Sequence, residues 1–294
     1  MTVDEPTTLS HALPKPVAFV FGGGGSLGSV QVGMLQAIGE HRVVPDLVVG
    51  TSVGSLNGAV VAQDPTSATN RLSHAWERIQ RSDAFPGGLL AQARTLERSR
   101  THLFPNTGVG RLIGEFLGAE VTFDQLALPF GAVATDVVTA TAHVFDRGDL
   151  TPSLLASAAI PGIFPPVIRD GRKFFDGGIV ANVPMKQALS MGAKSMVVFD
   201  CTFPGHLLPP PETLAETLLY TAMVTMRSQA LNDAPVVARE IPVVYLPGPQ
   251  ANRISPFNFD HTATLIETAY DAARSFLGNL AFAGPGLYGS PTGG

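Results

Sequence analysis

Charge is scarce in this chain. Asp, Glu, Lys and Arg make up 15% of its 294 residues, well under the roughly 25% typical of soluble domains. Basic residues number 19 and acidic ones 24, a formal net charge of −5. That balance gives no basic footprint for nucleic acid and no polybasic patch for an anionic membrane. Cysteine occurs once, as Cys201, which excludes an internal disulfide and any zinc site built from cysteines. Residues 1–15 lack the apolar stretch of a secretory signal and carry Asp4, Glu5 and Pro6 instead. Long hydrophobic runs are also missing. A spanning helix needs about 20 predominantly apolar residues. The three uncharged runs, 16–39, 151–168 and 275–294, are interrupted by glycine, proline or polar residues. The expectation is a cytoplasmic protein, with peripheral contact to a membrane left open.

Apolar residues are plentiful at 45%, which rules out disorder for most of the chain. The length suffices for one large domain or two small ones around a sizeable core. With 31 glycines and 24 prolines, the fold must be rich in turns.

Val17 to Phe21 is a short apolar run, as expected for a strand buried on both faces. Gly22 to Gly28 follows at once, then Val30, Met34, Leu35 and Ile38 at helical spacing. Leu47 to Val49 reads as a second buried strand, running into Gly50-Thr51-Ser52-Val53-Gly54 and a small-residue helix. This order indicates a parallel sheet with helices on its faces. Further on, 65–81 reads as a helix and 82–107 as an irregular connection. Segments 131–138 and 141–145 read as paired strands, 153–160 as a helix, and 167–175 as a hairpin around Asp170-Gly171. Strands are expected at 196–199 and 243–246, helices at 212–232 and 262–280, and a loose tail from about Gly284.

Two glycine-rich turns carry the chemistry. Gly50-Thr51-Ser52-Val53-Gly54 matches G-x-S-x-G between strand and helix. A serine on such a turn has its hydroxyl pushed out above the sheet edge, and the flanking glycines leave room for the bend. The loop at Gly23, Gly24, Gly25 and Gly28 has two functional readings. As Gly23-x-Gly25-x-x-Gly28 it fits a dinucleotide fingerprint, which needs an acid near the end of the second strand. Asp46 lies at that strand's beginning instead. The other reading is an oxyanion hole, in which backbone N–H groups approach a carbonyl oxygen closely. A plain helix-entry turn is the bland alternative.

A serine nucleophile needs a base. In the hydrolase order with histidine last, His206 and His261 are the candidates. The other candidate is Asp176, which leaves an apolar strand and precedes Gly177 and Gly178. Partly buried beside Ser52, it would have its pKa raised by desolvation and take the proton directly.

The three ordered motifs resemble the patatin-like phospholipase family: Gly23 to Gly28, Gly50 to Gly54, and Asp176-Gly177-Gly178. So do Ala156 to Pro166 before the aspartate and Gly178 to Pro184 after it. The likeness covers roughly residues 16 to 200. It implies an α/β three-layer sandwich with a mainly parallel central sheet. It implies Ser52 as nucleophile and Asp176 as base, a dyad without histidine, with Gly23, Gly24, Gly25 and Gly28 forming the oxyanion loop. The implied reaction is cleavage of a fatty acyl ester of a lipid through an acyl-enzyme, with no metal or organic cofactor. Its partners are a lipid or acyl-ester substrate and, transiently, a membrane surface, with no nucleic acid and an oligomeric state left open. Leu27 stands where the family usually carries Arg or Lys, so the loop keeps its donors and loses a cation. The rival expectations are a conventional Ser-His-Asp esterase and a catalytically weak lipid-binding protein of the same fold. In domain terms, 1–15 reads as an extension and 16–202 as the catalytic unit. Residues 203–294 complete or cap that unit. Segment 82–107 is a candidate lid or a solvated connection.

Overall fold

The computed structural model describes residues 9–118, 120–201, 210–249 and 254–291. Its sheet contains β1 Val17–Phe21, β2 Leu47–Thr51, β3 Phe130–Asp136, β4 Thr141–Phe145, β5 Val167–Arg169, β6 Arg172–Asp176, β7 Ser195–Phe199, β8 Val243–Tyr245 and β9 Leu287–Tyr288. β1 lies between β2 and β7, and the run from β3 through β2, β1, β7 and β8 to β9 is parallel throughout. Antiparallel pairing is confined to the β3 end, where β4 and β6 join β3 and β5 joins β6.

Alternating side chains explain why both faces are covered. From β1, Phe19 and Phe21 enter one core, while Ala18 and Val20 enter the other. Phe21 stacks on Phe199 of β7 with ring centroids 4.5 Å apart. The larger core also takes residues from the helices Val30–Glu40, Val53–Gln63, Ala68–Trp76, Thr107–Leu117, Leu150–Ser157 and Thr262–Gly278. The opposite face is covered by Met185–Ser190 and the C-terminal part of Leu214–Val237. The result is an α/β three-layer sandwich with a mostly parallel sheet. Among the described residues no helix is long and apolar enough to cross a membrane.

β3 is the element that assembles the site. Its residue Ala132 pairs with Gly50 of β2 on one edge and with Phe145 of β4 on the other. Ala134 pairs with His143 of β4 and with Asp176 of β6, so β6 lies on the edge that β2 occupies. β2 ends at Thr51 opposite Val133, and β6 ends at Asp176 opposite Ala134, the next residue. The two strands meet head to head, which brings Ser52 and Asp176 together across 124 positions of sequence.

Two segments differ from the sequence reading. Within 82–107 a regular helix forms at Leu89–Ser99. Leu89, Ala93 and Leu96 recur at helical spacing, a pattern short enough to miss among the glycines, prolines and charges around it. The tail from Gly284, described to residue 291, contains structure: Leu287–Tyr288 adds the edge strand β9. There Tyr288 Oη accepts from Ala283 N–H at 2.9 Å and donates to Gly284 C=O at 2.8 Å.

Candidate active site

Ser52 sits at the turn between β2 and the helix Val53–Gln63, with φ 55° and ψ −129°. A positive φ is rare for a residue other than glycine and costs on the order of 1–3 kcal/mol. Local bonds enforce it. Ser52 N–H donates to Ser157 Oγ at 2.9 Å, and Ser157 Oγ donates to Val133 C=O at 2.6 Å. The Ser52 carbonyl accepts from Ser55 N–H at 2.9 Å and Ser55 Oγ at 2.7 Å.

The elbow also requires close approach of backbone to backbone. A Cβ on Gly54 would lie 2.4 Å from Gly22 O and 2.5 Å from Phe21 O, and one on Gly50 would lie 2.4 Å from Gly54 O. These are main-chain atoms that cannot rotate away. Gly54→Ala is therefore expected to pry the helix from β1, with a stability loss of about 1–3 kcal/mol or more. A thermal-melt comparison with wild type checks this.

Ser52 Oγ donates to Asp176 Oδ2 at 2.6 Å, and Asp176 Oδ1 accepts from Gly178 N–H at 2.7 Å. Thr135 Oγ1 donates to the Asp176 carbonyl at 2.8 Å and anchors the end of β6. Ser52 is 7% exposed and Asp176 only 2%. Burial pushes the Asp176 pKa up from 3.8 to about 6, against the lowering effect of the Ser52 and Gly178 hydrogen bonds. A hydroxyl held on a carboxylate of raised basicity can lose its proton to it without an intermediary.

The glycine loop lies directly beside this pair. A Cβ on Gly23 would be 3.1 Å from the Ser52 Cβ. Gly23 N–H is engaged by Asn182 O at 3.1 Å, and Gly22 N–H by Phe199 O at 2.9 Å. Ser26 N–H bonds Pro256 O, and Leu27 N–H bonds Gly24 O. Among the described residues, the N–H groups of Gly24 and Gly25 have no backbone acceptor. Gly28 lies within the 3-10 turn Gly25–Ser29, packed against Val53 and Trp76. Leu27 is buried in the main core, so its position supplies packing and no charge. Gly177 rests on Val133 O, behind Asp176.

Gly25 and Ser52 open onto a cavity of about 80 Å³ walled mainly by apolar side chains, among them Val53, Leu56, Phe85, Phe116 and Phe164. Aromatic rings close much of it: Phe85 stacks on Phe164 at 5.4 Å, and Trp76 on Phe259 at 6.3 Å.

Of the residues proposed by sequence for rival chemistries, the described ones fall elsewhere. His261 is exposed at the head of the helix Thr262–Gly278, and His206 lies outside the described residues. Asp46 accepts from Val17 N–H at 2.8 Å, at the start of β1 and so at the sheet edge opposite the glycine loop. Among the described residues no three His, Cys, Asp or Glu side chains gather where they could hold a metal ion.

A family model described as patatin-like phospholipase matches residues 19–189, more than half of the chain and all three motifs. The chain belongs to the patatin-like phospholipase family. This patatin-like chain is 32% identical over 189 residues to patatin-like phospholipase domain-containing protein 7 of Mus musculus. That alignment covers 63% of the chain and 13% of the mouse protein. It is 28% identical over 186 residues to a lysophospholipase of Mycosarcoma maydis, covering 63% and 10%. The chain thus spans only about an eighth or less of the length of these relatives. Among solved structures, VipD from Legionella pneumophila aligns over 90% of this chain and 67% of its own, with TM-score 0.49 and 15% identity.

Sequence reasoning assigned no role to Ser157, Thr135 or Asn182, although Ser157 and Asn182 lie in the two flanking segments that carry the family likeness. Each bonds a partner distant in sequence, so its role appears only in the fold.

Proposed function

We propose that this chain is a serine acyl hydrolase that cleaves a fatty acyl ester of a lipid. The 2.6 Å hydrogen bond from Ser52 Oγ to a buried carboxylate carries this reading. Ser52 Oγ attacks the acyl carbonyl while its proton passes to Asp176 Oδ2. The N–H groups of Gly24 and Gly25 receive the developing oxyanion. Asp176 then returns the proton to the departing alcohol, leaving an acyl-enzyme on Ser52. A water molecule, deprotonated by Asp176, attacks the ester carbonyl; the fatty acid leaves, and the proton on Asp176 returns to Ser52 Oγ, restoring hydroxyl and carboxylate. No histidine takes part.

The apolar cavity beside Ser52 is the place for the acyl chain. At about 80 Å³ it takes only the first carbons of the chain next to the ester, and single-chain esters such as lysophospholipids are the proposed substrates. The Mycosarcoma maydis relative bears the name lysophospholipase. A panel of acyl esters, with released fatty acid as the readout, tests this. Turnover of single-chain lipid esters is expected, and the absence of ester cleavage across the panel would overturn it.

The far wall of the cavity makes a second expectation. Ile79, Leu112 and Phe116 also line an outer groove of about 430 Å³ that contains Arg71, His74 and Arg78. They form the partition between the two spaces. Phe116→Ala should open it and shift preference toward longer chains. The ratio of kcat/KM for long over short esters should rise roughly tenfold or more, as one methylene in an apolar pocket is worth about 1–3 kcal/mol. An unchanged ratio would place the chain elsewhere.

A further inference from the structure

A buried chain of side-chain amides runs beneath the glycine loop, and the hydrolytic scheme makes no use of it. Trp76 Nε1 donates to Asn57 Oδ1 at 3.0 Å. Asn57 Nδ2 donates to Gln31 Oε1 at 2.7 Å and to Gly28 O at 3.0 Å. Gln31 Nε2 donates to Gly22 O at 2.8 Å and to Phe199 O at 3.0 Å. Gln31, Asn57 and Trp76 are all buried. Every amide hydrogen has an acceptor, and each amide oxygen has a donor. The arrangement also has a single orientation. An indole N–H can only donate and a backbone carbonyl can only accept, so neither amide can turn over without leaving buried groups facing like groups. A fully satisfied buried network of this kind rigidifies what it touches.

What it touches is specific. Gly22 and Gly28 bracket the loop, with Gly24 and Gly25 between them. Asn57 belongs to the helix Val53–Gln63 that Ser52 heads. The network therefore ties both ends of the loop to the helix that carries the serine. Cost argues in the same direction. Burying two primary amides in an apolar core is unfavourable unless all their hydrogen bonds are made. An apolar pair would fill the same space without that requirement.

We infer that Gln31 and Asn57 are positioning residues that set the glycine-loop N–H groups against Ser52 Oγ, with Trp76 locking their orientation. This inference rests on the hydrolytic reading of Ser52. The residues themselves do not touch the reacting atoms. They act by holding donors where charge develops, which should show in kcat and leave substrate binding nearly unchanged.

The test compares Gln31→Met, which keeps length but removes the bonds to Gly22 and Phe199 and leaves the Asn57–Gly28 bond, with Trp76→Phe, which removes the locking donor and trims one ring of the cavity wall. Leu277→Ala, in the core away from the network, serves as the stability control. A fluorophosphonate titrates reactive Ser52, so kcat is expressed per active site and loss of folded protein is removed from the comparison. For Gln31→Met, kcat per titrated site should fall roughly 10- to 100-fold with KM within about twofold of wild type. Trp76→Phe should lie between the two, and Leu277→Ala should match wild type. Hydrogen exchange of the amides at 22–28 gives a second readout, expected to accelerate in Gln31→Met and not in Leu277→Ala. Wild-type kcat per site together with wild-type exchange in Gln31→Met would overturn the inference. So would losses no larger than those of Leu277→Ala. Failure of the parent reading looks different: turnover would survive Ser52→Ala, while the exchange comparison would still decide whether the amides brace the loop.

Discussion

Ser52→Ala should abolish ester turnover, with kcat falling by roughly 10⁴- to 10⁶-fold, and should eliminate covalent labelling by a fluorophosphonate. The fold should survive. Ser52 Oγ contributes one buried hydrogen bond, to Asp176, while the elbow is held by backbone bonds to Ser157 and Ser55 that alanine retains. The measurement is intact-protein mass after probe treatment, combined with fatty acid release and a thermal melt. A label on wild type mapping to Ser52, and no label on the variant at similar melting temperature, is the expected outcome. Equal labelling of both proteins would remove Ser52 as the nucleophile.

Asp176→Asn should separate activity from stability. The amide can still accept from Gly178 N–H and donate to Ser52 Oγ, so the geometry is retained, but it cannot take a proton. Turnover should drop by at least roughly 10³-fold. Stability should move the other way at neutral pH. The native state raises the Asp176 pKa from 3.8 to about 6, so folding favours its protonated form. Its full contribution to stability is therefore present below pH 3.8 and is lost as pH rises through about 6. At 1.36 kcal/mol per pKa unit the loss is on the order of 3 kcal/mol. Urea unfolding of both proteins should show the asparagine variant more stable at neutral pH, with the difference vanishing in acid. A pH-independent difference would mean that the carboxylate is not destabilised by burial.

The apolar run of β1, the elbow at Ser52 and the aspartate that ends β6 are local patterns, each enforced by a steric or packing need within a few residues. They could be read from sequence. The register that makes them one site could not. It depends on β3 pairing with Thr51 through Val133 and with Asp176 through Ala134, a tertiary choice with no trace in either motif. The loop glycines were likewise read as a group, whereas the structure divides them. Gly23 donates its N–H to Asn182, while among the described residues Gly24 and Gly25 have no backbone acceptor. Gln31 escaped notice because a lone glutamine in an apolar helix resembles an exposed position until its partners are seen. The helix Leu89–Ser99 went unread because its apolar spacing is short and set among glycines, prolines and charges.

The central claim is that a carboxylate acts on the elbow serine without an imidazole, and the pH dependence of kcat/KM tests it most directly. The base must be ionised to accept the Ser52 proton, so the rate should rise with pH on an acid limb centred near the Asp176 value of about 6. The same limb should persist in His206→Ala and His261→Ala, and the residual activity of Asp176→Asn should lack it. A limb that disappears with either histidine, or that survives in Asp176→Asn, would contradict the account.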